Sequence, residues 1–241
     1  LSGWDSPYEI SSSINGGVSF VNYRGYGMPE GWASPWYTVS NINQLTNGPK
    51  YGVMTSIVCG TGDYNDSYDP CFGEAWLRSP NKGGPGFIGP TNIDTHTKWN
   101  NALDCGIYWG LFEEDVYTLA QAMLMGKLCL YNAFPGDTYP NGQVQQYFHT
   151  YNVLGDPELN CWTDIPLTMT VEHIESIELG ATGIDVIVKD NSGTPIHNAY
   201  VCLYKGEEIF QGKFTGIDGS ACFQVEPTTS GSLALTVTKK G

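Results

Sequence analysis

The sequence predicts an α/β unit followed by a small all-β unit. Three observations support this prediction. Short apolar strands end in glycine loops, amphipathic helical stretches lie between them, and short alternating strands replace this pattern near Pro166. Strands that alternate with helices favour a layered fold with parallel strands. We therefore divide the chain into residues 1–166 and residues 167–241.

The first unit is predicted from its hydrophobic periodicity. Residues 1–16 are polar and rich in Gly and Ser, which predicts an irregular lead-in. Strands are predicted over 17–23, 52–58 and 83–91, with a short helix over 71–79. Apolar residues at three- and four-residue spacing predict one helical stretch over 103–131. A further helix is predicted over 143–154, ended by Gly155 and Pro157.

The second unit contains no helical pattern. Six short segments of alternating polarity follow Pro166, with the turn signals DNSG, KGEE and IDGS between them. Short strands at this spacing predict a β-sandwich. The 75 residues from 167 to 241 are few for a sandwich, so we expect the chain to be cut at its C-terminus.

Composition and charge exclude several classes of protein. The chain is 41% hydrophobic, which is too apolar for disorder, and it contains no apolar run of about 18 residues that predicts a membrane span. Eleven Lys and Arg against 25 Asp and Glu give a net charge of −14. This charge repels nucleic acid and anionic membrane surfaces. Few lysines and many uncharged polar and aromatic residues indicate a secreted or cell-surface protein.

The cysteine count is odd, and its meaning depends on the compartment. In an extracellular chain up to six of the seven cysteines pair in disulfides, and the sequence does not select the pairing. Cys202 and Cys222 lie in strand centres with the same parity, which fits either a disulfide or two buried free thiols. The chain opens LSGWDSPYEI without a signal peptide, so we expect a processed or truncated start.

Two predicted strands end in glycine loops, NYRGYG and VCGTGDY. Ligands of open α/β sheets bind at the carboxyl ends of the strands. Cys59 lies at the end of the second strand. It is a candidate nucleophile, and the alternative is a buried or disulfide-bonded cysteine.

The segments NYRGYG, SIVCGTGDY and PCFGEAWLR resemble the gingipain-type cysteine peptidases, which have a caspase-like fold. The resemblance implies that residues 1–166 form the C-terminal part of a caspase-like sheet with flanking helices. It also implies that the second unit is an immunoglobulin-like sandwich. The matching residues are Asn22, Tyr23, Gly25, Gly27, Cys59, Gly62, Asp63, Pro70, Cys71, Phe72, Glu74, Ala75, Arg78, Leu154, Gly155, Asp156 and Pro157.

The resemblance assigns roles at one strand end and departs from the family at a key position. It implies that Cys59 is the nucleophile and that the backbone N–H groups of Gly27 and Cys59 bind the oxyanion. The family's catalytic histidine falls on Tyr26. A Cys/His peptidase needs an imidazole to deprotonate the thiol and to protonate the leaving amine. A tyrosine phenol is neutral at pH 7 and is a poor base.

Loss of a general acid–base costs roughly 10²–10⁴ in rate. We therefore expect an inactive pseudopeptidase that acts as an extracellular binding or assembly module for a protein or peptide. An active cysteine endopeptidase that uses Cys59 with a non-standard base is the alternative. A structural subunit of a surface filament is a further alternative. His96, in the loop after the third strand, is the candidate surrogate base, and a solvated loop histidine is the other interpretation.

Asp63, Asp66 and Asp69 follow one another at three-residue spacing in a loop. Calcium prefers such oxygen-rich loops, and the resemblance to calcium-binding peptidases favours this metal as a cofactor. A solvated acidic loop is the alternative interpretation. No histidine and cysteine spacing predicts a zinc site.

The resemblance also implies a partner. In the family, further strands precede the strand that carries the histidine, and they are absent from this sequence. We expect an upstream polypeptide to complete the sheet, or self-association through an unpaired strand edge. Specificity for a basic side chain does not carry over, because part of the substrate pocket lies in the missing segment.

Overall fold

The computed structural model describes residues 6–166 and 168–239. It divides into two compact units, Leu1–Thr163 and Asp164–Gly241. Within these ranges no helix has the length and apolar character needed to cross a bilayer.

Along the chain, the strands of a small hairpin sheet come between two strands that are neighbours in the main sheet. In chain order the elements are α1 (Pro7–Gly16), β1 (Phe20–Tyr23), β2 (Gly27–Met28), β3 (Gly31–Ala33), β4 (Trp36–Thr38), α2 (Val39–Ile42) and β5 (Val53–Ser56). The other elements of the unit are α3 (Phe72–Arg78), β6 (Gly86–Pro90), α4 (Thr97–Glu113), α5 (Leu119–Ala133), a 3₁₀ turn (Pro135–Asp137), α6 (Gln143–Thr150) and β7 (Tyr151–Gly155).

The main sheet has the order β1-β5-β6-β7. β1, β5 and β6 are parallel, and β7 runs antiparallel to β6. Successive residues of the strands face two separate cores: Val53 and Ile88 face the helices α4 to α6, and Met54 and Phe87 face the side of α1 to α3. The α/β prediction is therefore confirmed, as a sheet covered by helices on both faces.

Three details of the prediction for this unit are wrong. The lead-in is helical from Pro7, because Ser6 and Glu9 form a capping box that starts α1. The stretch 103–131, predicted as one helix, belongs to two helices that residues 114–118 separate. α4 begins before the stretch, at Thr97, and α5 ends after it, at Ala133. The helix predicted to reach residue 154 ends at Thr150, because residues 151–155 pair with β6 instead.

The second unit consists of two antiparallel sheets that share one core. All six predicted strands form, with shifted ends: β8 (Met169–Glu172), β9 (Thr182–Asp190), β10 (Tyr200–Lys205), β11 (Ile209–Phe214), β12 (Ser220–Val225) and β13 (Ala234–Thr238). The sheets have the orders β12-β9-β8 and β11-β10-β13. Residues of both sheets fill the space between them, as in a sandwich.

Of the two alternatives left open for the cysteines, the structure shows free thiols and no disulfide among the described residues. All seven cysteines lie among the described residues and are free thiols. Cys202 and Cys222 lie on different sheets, and their neighbours Val201 and Phe223 are the residues that point into the core. Because side chains alternate along a strand, both cysteines face outward; Cys202 is half-buried and Cys222 is exposed.

Candidate active site

The sheet brings the two glycine loops to one edge. β1 and β5 are parallel and in register, with Tyr23 opposite Ser56, so the segments that follow them emerge side by side. Gly27 packs directly on the second loop. A Cβ atom added to Gly27 would lie 2.6 Å from Cγ2 of Val58 and 2.9 Å from the carbonyl oxygen of Cys59. The structure thus places the backbone of residues 26–27 against Cys59.

Aromatic packing holds the first loop in shape. The ring of Tyr23 stacks on Trp32 with centroids 4.2 Å apart and an angle of 19°. Its hydroxyl donates to the carbonyl of Ser34 at 2.6 Å. The ring passes over Gly25, where a Cβ would lie 2.3 Å from the Tyr23 hydroxyl oxygen. A side chain at Gly25 would therefore displace the ring that supports the loop.

Tyr26 occupies the position that the sequence assigns to the family's histidine. Its carbonyl accepts a hydrogen bond from the N–H of Ala33 at 2.8 Å, which fixes the backbone. The side chain is 75% exposed. No described residue hydrogen-bonds to its phenol oxygen, so the phenol is not held toward the thiol.

The second loop is fixed by backbone hydrogen bonds to the segment after β6. The N–H of Gly60 donates to Asn92 and the N–H of Gly62 donates to Pro90, both at 2.9 Å. Gly60 has a φ of +64°, a conformation that favours glycine. These contacts hold Cys59 in a rigid turn between the ends of β5 and β6.

The thiol of Cys59 hydrogen-bonds to Thr95. Its Sγ lies 3.3 Å from the Thr95 hydroxyl oxygen and 3.7 Å from the Thr95 carbonyl oxygen. No described imidazole hydrogen-bonds to this sulfur. The thiol is half-buried and remains partly open to solvent.

A buried chain of side chains orients the Thr95 hydroxyl. The Tyr151 hydroxyl lies 2.6 Å from Oδ1 of Asn100, and Nδ2 of Asn100 donates to the Thr95 hydroxyl at 3.3 Å. Burial raises the pKa of Tyr151 well above its ordinary value, so its phenol stays protonated and donates. Oδ1 of Asn100 therefore accepts from the Tyr151 hydroxyl, and the Thr95 oxygen accepts from Nδ2 of Asn100. The proton of the Thr95 hydroxyl is free to point at Cys59.

His96 follows Thr95 and caps α4. Its Nδ1 accepts from the N–H of Lys98 at 3.2 Å, and its side chain is exposed. The hydroxyl of Tyr147 bridges the backbone of His96, accepting from its N–H at 2.8 Å and donating to its carbonyl at 3.0 Å. Burial raises the pKa of Tyr147 to about 12, which keeps this bridge protonated. The structure places His96 beside the Cys59 loop without a hydrogen bond to the sulfur.

Arg24 links both loops to α4. Its guanidinium donates to the carbonyl of Ile57 at 2.8 Å and lies 3.8 Å from the carboxylate of Asp104. Burial raises the pKa of Asp104 above its ordinary range, in spite of a hydrogen bond from Asn22 and the charge of Arg24. Its Oδ1 is buried and has no hydrogen-bond partner among the described residues.

The three aspartates of the acidic loop make separate contacts. Asp63 and Asp66 accept backbone N–H groups of their own turns, and Asp69 lies 3.5 Å from the guanidinium of Arg78. Across the described ranges, no three His, Cys, Asp or Glu side chains are grouped to hold a metal ion.

Sequence reasoning brought Cys59, Tyr26 and Gly27 together and missed Thr95. The signal was available, because Thr95 follows β6, and the carboxyl ends of β5 and β6 lie at the same edge of the sheet. Arg24, inside the NYRGYG segment, was also passed over although it is the cation of that loop.

Comparison with known proteins identifies the family of this chain. Peptidase family C25 matches residues 3–162. Lys-gingipain W83 of Porphyromonas gingivalis is 31% identical over 220 residues, covering 78% of this chain and 12% of the relative. Gingipain R2 of the same organism is 23% identical over 246 residues, covering 98% of this chain and 31% of the relative.

Two solved structures share the fold. The Arg-specific cysteine proteinase gingipain R superposes with a TM-score of 0.83 at 22% identity, covering 99% of this chain and 54% of the other. A complex of the pro- and mature domains of P. gingivalis RgpB gives a TM-score of 0.81 at 22% identity, covering 99% of this chain and 55% of the other. The chain thus spans about half the length of these solved chains and less than a third of the curated relatives. By the match over residues 3–162, the chain belongs to peptidase family C25, the gingipain-type cysteine peptidases.

Proposed function

We propose that this domain is a pseudopeptidase, exported from the cell, that binds a protein or peptide rather than cleaving it. The observation that supports the proposal is the environment of the Cys59 thiol. Its hydrogen-bond partners are the hydroxyl and the carbonyl of Thr95, and the neighbouring loop presents the exposed phenol of Tyr26 instead of an imidazole. A neutral hydroxyl orients a thiol but does not accept its proton.

Peptide-bond cleavage also needs an acid for the leaving amine. The phenol of Tyr26 points into solvent, and the Nδ1 of His96 already accepts a backbone N–H. The backbones of Gly27 and Cys59, whose N–H groups the resemblance assigns to the oxyanion, still pack against each other. The site therefore retains parts that bind an extended peptide and lacks the groups that move protons.

A second candidate function, an active cysteine endopeptidase with a non-standard base, rests on one observation. Cys59 is partly exposed, and His96 is joined to it through the adjacent Thr95. In that case Nε2 of His96 or a bound water takes the thiol proton. The two functions differ in whether the wild-type protein turns over a peptide.

Peptide turnover by the wild-type chain, Cys59→Ala and Tyr26→His tests the proposal. We expect no Cys59-dependent turnover by the wild type. We expect Tyr26→His to gain at least about 100-fold over that background, the low end of a general acid–base contribution. Tyr139→His, which places an imidazole at another exposed tyrosine, is the matched control and should gain nothing. Wild-type turnover abolished by Cys59→Ala would overturn the pseudopeptidase, and loss in His96→Ala would identify the base.

A partner strand is the second part of the proposal. β1 is an edge strand, and its odd-numbered residues bond to β5, as Ser19 and Tyr23 do. The backbone groups of Phe20 and Asn22 therefore face the open edge. A groove of about 410 Å³ lies beside them, and its lining combines apolar side chains such as Ile10 and Ile14 with the polar side chains of Asn22 and Arg24. An open edge beside a partly apolar groove is suited to strand addition.

We propose that an upstream polypeptide fills this edge; one of the similar solved structures is a complex of pro- and mature domains, which is consistent with an upstream partner. The test compares amide hydrogen exchange in this chain with that in any longer natural form. We expect the N–H of Asn22 to exchange freely here and to be protected when the edge is paired. Concentration-dependent protection of the same amide in this chain, with polymers in sedimentation, would instead support the filament subunit.

A further inference from the structure

The second unit carries an aromatic surface that the peptidase site does not use. On the sheet β11-β10-β13, residues Val201, Leu203 and Ile209 fill the core, so their neighbours point to solvent. Four of these outward residues are aromatic. Tyr200, Tyr204, Phe210 and Phe214 are 38%, 52%, 76% and 62% exposed.

The strand register arranges these rings as two cross-strand pairs. Tyr200 lies opposite Phe214 and Tyr204 lies opposite Phe210. The ring centroids are 5.1 Å apart in the first pair and 6.3 Å apart in the second. Four residues of strand separate the pairs, which is about 13 Å. The rings therefore form a platform with an aromatic cluster at each end.

Gly212 lies at the centre of the platform and lets one ring cross it. A Cβ added there would lie 1.9 Å from the hydroxyl oxygen of Tyr200 and 2.4 Å from Cζ. The phenol end of Tyr200 thus covers Gly212 and lies over the sheet. Cys202, directly opposite Gly212, is the other small residue between the aromatic pairs.

The rest of this face is uncharged. β13 contributes Ala234, Thr236 and Thr238, which lie opposite Tyr204, Cys202 and Tyr200. None of the nine outward-facing positions on the three strands carries a charge, on a chain whose net charge is −14. A nucleic acid or an acidic polymer would need cationic residues here. The face therefore selects a neutral ligand.

The size of the platform also limits its occupant. At about 200 Å² for each aromatic residue, the exposed fractions leave about 450 Å² of largely aromatic surface. A stable protein dimer needs about 800 Å² from each partner. The platform is too small for a second copy of this chain and falls within the size of patches that are often functional on monomers.

We propose that this platform binds a neutral polysaccharide. Sugar rings have apolar C–H faces that pack on aromatic rings, and their hydroxyls match the hydroxyls of Tyr200, Tyr204, Thr236 and Thr238. The platform is long enough for several sugar rings along the strands. The inference goes beyond the proposed function and does not depend on the state of Cys59.

Affinity electrophoresis of the full chain tests this proposal. The gels contain one of four probes: soluble mannan, xylan, laminarin or hydroxyethyl cellulose. We expect at least one probe to retard the wild type. Phe210→Ala combined with Phe214→Ala should weaken the retardation at least about tenfold, since two ring contacts are lost. Gly212→Ala should also weaken it, because the Cβ displaces Tyr200.

Tyr139→Ala, at an exposed tyrosine of the first unit, is the control and should bind like the wild type. Thermal melts of the variants establish that they fold, as expected for exposed side chains. Absence of retardation by all four probes would overturn the proposal. Equal retardation of the wild type and the double phenylalanine variant would also overturn it. Self-association that disappears in the double variant would show an interface between copies instead.

Discussion

The hydroxyl of Thr95 is predicted to activate the Cys59 thiol, and Thr95→Val removes it. Asn100 donates to the Thr95 oxygen at 3.3 Å, so the Thr95 proton is directed to the sulfur, also at 3.3 Å. A hydrogen bond donated to sulfur stabilises the thiolate, the form that reacts with alkylating agents. A neutral hydrogen bond contributes about 0.5–1.5 kcal/mol. Its loss should slow alkylation by about 2- to 12-fold.

The assay is the rate of iodoacetamide alkylation at pH 7, with each cysteine resolved by peptide mass spectrometry. The exposed Cys105 serves as an internal reference. Burial raises the pKa of Cys71 and of Cys161 to about 11, so neither thiol competes at this pH. Thr95→Ser keeps the hydroxyl and should leave the rate for Cys59 unchanged.

Thr95→Val also leaves Nδ2 of Asn100 buried without an acceptor. That cost is about 1–3 kcal/mol, which lowers the melting temperature by roughly 2–12 °C for a unit of this size. Thr118→Val is the matched control, because the Thr118 hydroxyl is buried and has no hydrogen-bond partner among the described residues. Thr118→Val should leave the alkylation rate of Cys59 unchanged and should not lower the melting temperature. An unchanged or faster rate in Thr95→Val would refute the assigned direction of the hydrogen bond.

Three further substitutions test the packing and charge of the first unit. Burial raises the pKa of Asp104, so its ionised form destabilises the fold at neutral pH and stability rises as the pH falls. Asp104→Asn should therefore melt higher than the wild type at pH 7 and equally below about pH 4; a lower melting temperature at pH 7 would mean that the ion pair with Arg24 dominates. Gly83→Ala should lower the free energy of unfolding, measured in urea, by at least about 1 kcal/mol. Gly83 has a φ of +69°, and an added Cβ would lie 2.0 Å from the backbone oxygen of Trp76. Gly27→Ala should lower the free energy of unfolding by about 1–3 kcal/mol through overpacking. It should also change the alkylation rate of Cys59, whose carbonyl oxygen lies 2.9 Å from the added Cβ. A wild-type stability together with a wild-type alkylation rate would show that the two loops do not constrain each other.

Local patterns predicted most of the fold. The strands of the second unit form where polarity alternates between turn signals, because each strand buries one face against the other sheet. The start of α1 shows where composition misleads: the Gly and Ser content of residues 1–16 predicts an irregular segment, whereas Ser6 and Glu9 form a complete capping box. β7 was missed for a different reason. Residues 151–154 continue a helical pattern, and only pairing with β6 determines that they are extended.

The site, like the fold, could be predicted from the sequence only in part. The rule that parallel strands end at one edge was enough to place Tyr26 and Gly27 beside Cys59. The partner of the thiol depends on how the loop after β6 turns toward the sheet, and no local pattern describes that path. The position of His96 illustrates the limit. Its imidazole makes it the candidate base, whereas the hydroxyl that contacts the sulfur belongs to Thr95, the residue before it.

Matching a catalytic motif does not show that catalysis survives, because most of the matching residues have structural roles in this chain. Tyr23 stacks on Trp32, and Gly25 accommodates the Tyr23 ring. Gly27 lets its loop pack on Cys59. None of these contacts involves the side chain of residue 26, so they stabilise the loop whichever side chain stands there. The side chain at position 26 is exposed and free of these constraints, and it is the position to which the resemblance assigns the family's histidine.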